Sequence, residues 1–150
     1  MLNPDYKEML SALLDEKVEF VIVGAFALAA HGNPRSTGDI DIYINPENYN
    51  AERVLKALAQ FGAPLSAITV QDLQTPDTVF QIGVVPCRID FLTSIEGVQG
   101  FVEALDTAKS VVVDGLTFFV LGRNMLIKNK KALGRPQDLA DVAWLEANTQ

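Results

Sequence analysis

The sequence predicts an α/β fold: a small mixed β-sheet flanked by helices, followed by C-terminal helices. Three observations carry this. Residues 18–23 are a short apolar run rich in β-branched side chains, which suits an interior strand, and Gly24 separates it from the helix-forming residues 25–30. Asp39-Ile40-Asp41-Ile42-Tyr43-Ile44 alternates with period two, the pattern of a strand with one buried face. Apolar stripes at helical spacing are interleaved with further strand-like runs.

Taken in order, Asn3-Pro4 starts a first helix, with Asn3 as N-cap and Pro4 in the first position. Met9, Leu10, Leu13 and Leu14 form its apolar stripe. After the strand at 18–23 and the helix at 25–30, His31-Gly32 is a stop and Asn33-Pro34 a turn. Asn45-Pro46-Glu47 restarts a helix whose buried side is Val54, Leu55, Leu58 and Phe61 and whose end is Gly62. Residues 63–76 read as loop with a short helix over 69–73. Residues 78–85 and 88–92 read as strands, with Pro86-Cys87 between them as a tight connection or bulge. A short helix is expected over 97–105. Asp114-Gly115 between 109–113 and 116–120 is a hairpin signal for a type I′ turn. A helix then runs from Gly122 to the break at Gly134-Arg135-Pro136, and a last one covers 138–148.

With 150 residues, the length suits one domain and an adequate core. No apolar run is long enough to span a bilayer, and the first residues lack the basic and apolar regions of a signal peptide. One cysteine, Cys87, excludes an intramolecular disulfide and fits a reducing cytoplasm; one cysteine and one histidine make a zinc site a poor fit. The net charge of −7 argues against broad nucleic-acid binding while leaving room for a local basic patch.

The chemistry centres on residues 18–44. Side chains two apart on a strand share a face, so Asp39 and Asp41 point the same way, opposite Ile40, Ile42 and Ile44. Two like charges this close repel, and a divalent cation removes the penalty; oxygen-only ligands favour Mg²⁺ or Mn²⁺. The alternative is a solvated strand end. The preceding strand–glycine–helix junction weighs toward the first reading, because the free N–H groups of a helix's first turn make an anion site and Gly24 permits close backbone approach. A phosphate cradle at Gly24-Ala25 beside a metal site is what a nucleoside triphosphate carrying Mg²⁺ requires. Arg35 either reaches the β/γ-phosphates or pairs with an aspartate, and Thr37 either donates to a phosphate or shapes the loop. His31 reads as a capping or packing residue.

Asp90 stands among Ile89, Phe91 and Leu92, where a carboxylate is costly unless paired or metal-bound; Arg88, on the same face, is the obvious partner. Arg123, Lys128, Lys130, Lys131 and Arg135 form a basic island, read either as a solvated helix face or as a clamp for triphosphate or RNA backbone.

Gly24-Ala25 followed by Asp39-Ile40-Asp41 resembles the hG[GS]…DhDh signature of the DNA polymerase β-type nucleotidyltransferase superfamily. The fuller string VGAFALAAHGNPRSTGDIDIYI, with NKKALGRPQDLADVAWLE later, is similar to small prokaryotic nucleotidyltransferases of the AbiEii and MenT toxin kind. The resemblance runs from about Val18 to Glu146 and implies a single minimal nucleotidyltransferase domain over residues 1–150. It implies Asp39, Asp41 and Asp90 as the metal carboxylates. It also implies Lys130 as the phosphate lysine, Arg135 in nucleotide binding, and Asp138 orienting one of those cations. Asp141 stays open as a helix-face charge. The expected activity is metal-dependent transfer of an NMP from an NTP to a hydroxyl on a tRNA 3′ end or a protein, in the cytoplasm, with a cognate antitoxin as partner and no membrane. Ala25 departs from the usual Ser or Gly, which removes a hydroxyl contact and favours the alternative, an inactive nucleotide-binding regulatory module. A plain interaction domain with solvated aspartates is the third reading.

Overall fold

The structure, a computed structural model, describes residues 2–34 and 38–148. Helix α1 (Pro4–Asp15) starts as expected, the Asn3 side chain accepting the Tyr6 N–H at 2.9 Å. Strand β1 (Phe20–Val23) starts later than residue 18 because the Val18 N–H bonds to the Leu13 carbonyl at 2.9 Å and so completes the end of α1. Helix α2 (Gly24–Ala30) follows without a linker, and β2 (Asp39–Ile44) lies where the alternation put it. Helix α3 (Asn48–Phe61) ends at Gly62, whose left-handed backbone (φ 94°) closes it. A 3₁₀ turn (Leu65–Ala67) and a short α4 (Val70–Gln74), capped by Thr69, occupy the loop-like stretch.

Strand β3 (Val79–Ile82) is shorter than its sequence suggested, because Gly83 at φ 76° turns the chain and Cys87 N–H closes on the Val84 carbonyl at 2.8 Å. Then come β4 (Arg88–Leu92), α5 (Phe101–Asp106), β5 (Lys109–Val113), β6 (Leu116–Val120), α6 (Arg123–Leu133) and α7 (Pro136–Ala147). Helix α5 begins four residues later than expected. Asp114 and Gly115 both have positive φ, 51° and 79°, as a type I′ hairpin requires. No helix among the described residues is long and apolar enough to cross a membrane.

The six strands form one mixed sheet in the order β3-β4-β2-β1-β6-β5. β1 and β2 are antiparallel, β2 and β4 parallel, β1 and β6 parallel, with antiparallel strands at both edges. Ile40, Ile42, Ile44, Ile89 and Phe91 are buried from β2 and β4, in one core with Met9, Leu10, Leu13, Val54 and Leu58 of α1 and α3. On the face that carries Asp39 and Asp41, Tyr43 is buried edge-on against Phe101 of α5, ring centroids 5.3 Å apart.

Asn50 joins the layers. Fully buried, its Oδ1 accepts the Glu19 N–H at 2.7 Å, and its Nδ2 donates to the carbonyls of Glu19 at 3.0 Å and Asn45 at 2.8 Å. It pins α3 to the start of β1 and the end of β2. Asn50→Ala strands these backbone groups in the interior. The expected cost is roughly 2–3 kcal/mol, read as an unfolding midpoint lower by roughly 4–12 °C.

Candidate functional site

The register of the central strands builds the site. Val23, the last residue of β1, pairs with Asp41, and across the parallel β2–β4 ladder Asp41 pairs with Asp90 while Asp39 pairs with Arg88. Carboxylates 51 residues apart in sequence therefore meet at one edge of the sheet. An oxygen from each of Asp39, Asp41 and Asp90 lies within 4.8 Å of the others. This donor set is all oxygen and clustered, and it fits a hard divalent cation rather than zinc.

Gly24 follows directly. Its φ of 70° is left-handed, and a Cβ there would run into the Asp41 Oδ2. Only glycine lets the elbow into α2 pass the carboxylate this closely. Gly24 and Ala25 line a cavity of about 640 Å³ together with Asp39, Asp41, Lys130, Arg135 and Asp138. Arg35 and Thr37 lie outside the described residues.

Arg88 brings a cation to the cluster. Arg88 Nη2 is 2.7 Å from Asp39 Oδ2, and its Nε is 3.1 Å from Asp90 Oδ1. The salt bridge foreseen as the alternative to a metal is thus present together with the three-carboxylate cluster. Burial is the largest cause holding Asp90 above the usual carboxylate range, with Asp39 adding to it and Arg88 opposing it. Asp41 is pushed up to about 7, by burial first and then by Asp39 and Asp90.

This shift sets a pH dependence. An Asp41 pKa raised from 3.8 to about 7 means that the folded state holds a proton the unfolded chain has released. The stabilisation is fully present below about 3.8 and is lost as pH rises through about 7. Between pH 5 and 8 the EDTA-treated protein therefore loses stability, by roughly 2–3 kcal/mol from this group. Added Mg²⁺ or Mn²⁺ restores it, more strongly at pH 8 than at pH 5. Thermal melts across pH with and without cation test this; a melting point independent of pH in EDTA contradicts it.

The helical pair forms the opposite wall. Lys130 is buried, its Nζ 2.9 Å from Asp141 Oδ2 and 3.7 Å from Asp138 Oδ1. Asp138 also accepts from Arg135 Nε at 2.6 Å, and that contact is the main cause lowering its pKa. Asp138 thus lies within reach of both cations, where the resemblance implied an orienting role toward one of them. Asp141 is not a solvated helix-face charge: it is buried and is the nearer carboxylate to Lys130.

The basic island divides, Lys130 and Arg135 lining the cavity and the other three cations lying outside it. Lys128 and Lys131 reach Glu103 at 4.0 Å and Glu146 at 3.9 Å, and Arg123 donates to the Leu145 carbonyl at 2.8 and 3.0 Å, closing the end of α7. His31 ends α2 at the C-cap position through its backbone N–H, and its Nε2, 2.8 Å from the Leu121 carbonyl, ties that end to the chain after β6. The cavity also takes in Asp77, Ser94 and Glu96, for which no sequence signal stood out.

This architecture is a nucleotidyltransferase fold. The structure aligns with a crystal structure from Thermotoga maritima described as that of "a putative nucleotidyltransferase", with a TM-score of 0.65 and 18% identity over 99% of this chain and 97% of that one. The chain belongs to the family described as "Nucleotidyl transferase of unknown function (DUF2204)", whose model matches residues 3–147. Comparison with curated proteins gives no match.

Proposed function

We propose that the protein, read as a single domain, transfers a nucleoside monophosphate from an NTP to a hydroxyl acceptor. The observation that carries this reading is that Asp39 and Asp41, two of the three clustered carboxylates, share one cavity with a glycine elbow and two cations, Lys130 and Arg135. Asp39, Asp41 and Asp90 would hold Mg²⁺ or Mn²⁺, which when bound supplies charge neutralisation for the phosphates. Gly24 and Ala25 present backbone N–H groups to the triphosphate, and Lys130 and Arg135 face it from α6 and α7. Asp90 receives the proton of the acceptor hydroxyl as its oxygen bonds to the α-phosphorus. The bond between the α-phosphorus and its bridging oxygen breaks, and pyrophosphate leaves toward Lys130 and Arg135.

The similarity to AbiEii and MenT toxins supports a tRNA 3′ end or a protein hydroxyl as acceptor, and a cognate antitoxin as partner. With Lys130 and Arg135 given to the triphosphate, acceptor recognition falls to the rest of the chain or to that partner. Ala25, which lacks a hydroxyl, and Arg88, seated on the carboxylates, favour a second reading: a nucleotide-binding regulatory module without turnover.

Incubation with each α-labelled NTP, Mg²⁺, and total cellular RNA or protein tests the proposal. The expected result is label in one macromolecular fraction and release of pyrophosphate. Stabilisation by NTP and Mg²⁺ with no pyrophosphate release in any fraction selects the second reading.

A further inference from the structure

The cavity continues past the carboxylates, and its far end has a different chemistry. Leu92 lies two residues beyond Asp90 on the same face of β4, about 7 Å along the strand. Val79 pairs with Leu92 from β3, and Leu133, at the end of α6, lines the same cavity. Val79 is 54% exposed and Leu133 39%. Apolar side chains thus stand bare in a cavity whose other end is charged.

Beyond them Asp77 and Ser94 hold each other. The Asp77 N–H donates to Ser94 Oγ at 2.9 Å, and the Ser94 hydroxyl donates to Asp77 Oδ1 at 2.7 Å. Asp77 has φ 59°, a left-handed conformation uncommon outside glycine, and this reciprocal pair keeps it there. The one hydroxyl hydrogen of Ser94 is committed to Asp77. The pair therefore offers a ligand acceptors only.

We propose that this end of the cavity is the nucleobase subsite and that Asp77 selects guanine, making GTP the preferred donor substrate. The inference rests on the nucleotidyl-transfer reading, which places the triphosphate at the Gly24 elbow and Lys130. Acidic Asp77 repels phosphate, so the nucleotide enters with its phosphates at the cationic end and its base at the apolar one. Val79 and Leu92 of the sheet and Leu133 of α6 offer a flat, uncharged ring apolar side chains to lie against.

Guanine presents N1–H and N2–H₂ side by side, which a carboxylate accepts as a pair. Adenine and cytosine set one amino group beside a ring acceptor, and uracil sets one N–H between two carbonyls. An acceptor-only wall repels part of each. A bidentate contact of this kind discriminates by roughly 10- to 100-fold.

The test is calorimetric titration of the protein with GTP, ATP, CTP, UTP and tripolyphosphate, each with Mg²⁺. Wild type is compared with Asp77→Asn, since Asn tolerates the left-handed backbone. Asp77→Gly serves as a second variant free of that strain. The expected result is GTP bound at least tenfold more tightly than the other three, a preference lost in both variants while tripolyphosphate affinity stays the same. Four NTPs bound within threefold of one another, or a GTP preference that survives both substitutions, overturns the guanine assignment and leaves the transfer reading standing if tripolyphosphate binds. Failure of every NTP and of tripolyphosphate to bind sinks both.

Discussion

Asp41→Asn is expected to remove the proposed nucleotidyl transfer, by three orders of magnitude or more, roughly 4 kcal/mol of transition-state stabilisation, and at the same time to raise the melting point of the protein in EDTA. The two effects have one cause. Asp41 sits at the centre of the cluster, paired in register with Val23 on one side and Asp90 on the other. Without a cation its charge is opposed by burial and by both neighbouring carboxylates, which push its pKa to about 7. Asparagine has the same shape and no charge, so the folded state loses a repulsion at neutral pH. The gain should vanish at pH 4, where the wild-type carboxyl is protonated anyway. The protection given by Mg²⁺ should shrink with the charge of the site. A variant that is more stable at pH 7.5, equally stable at pH 4 and inactive identifies Asp41 as a group held in place for a cation. A variant that transfers NMP at the wild-type rate removes Asp41 from the mechanism. A variant that merely melts earlier assigns it to the fold.

The cluster was legible because it is written in local pattern. The period-two alternation of DIDIYI fixes which face Asp39 and Asp41 share, whatever the rest of the chain does. A carboxylate in the apolar strand RIDFL is costly enough to demand a partner, and that partner is Arg88, which also bonds to Asp39. The basic island was not legible, because Glu103 lies far in sequence from Lys128, the cation it reaches. Strand ends shifted where a backbone hydrogen bond or a glycine at positive φ claimed the residue, as at Val18 and Gly83. Asp77 had no periodicity to reveal it. Its place in the cavity follows from the antiparallel return of β3 along β4, which only the folded sheet shows.

Lys130→Met is expected to destabilise the protein by roughly 3–5 kcal/mol, because it leaves buried carboxylates without their ammonium. Asp141 and Asp138 are nearly inaccessible, and Lys130 Nζ stands 2.9 and 3.7 Å from them. Loss of activity in this single variant says nothing about phosphate binding, since the cavity wall itself is undermined. The informative protein is Lys130→Met with Asp141→Leu. Removing both charges deletes the ion pair rather than breaking it, and Asp138 keeps Arg135. Replacement of a buried pair by apolar groups is commonly neutral or stabilising, so urea unfolding of the double variant should return to within about 1 kcal/mol of wild type. If Lys130 neutralises the leaving pyrophosphate, this refolded variant still transfers NMP at least a hundredfold more slowly and binds tripolyphosphate weakly. If it recovers stability and activity together, the lysine serves only to hold α6 against α7, and Arg135 and the α2 elbow are left to take the phosphate charge.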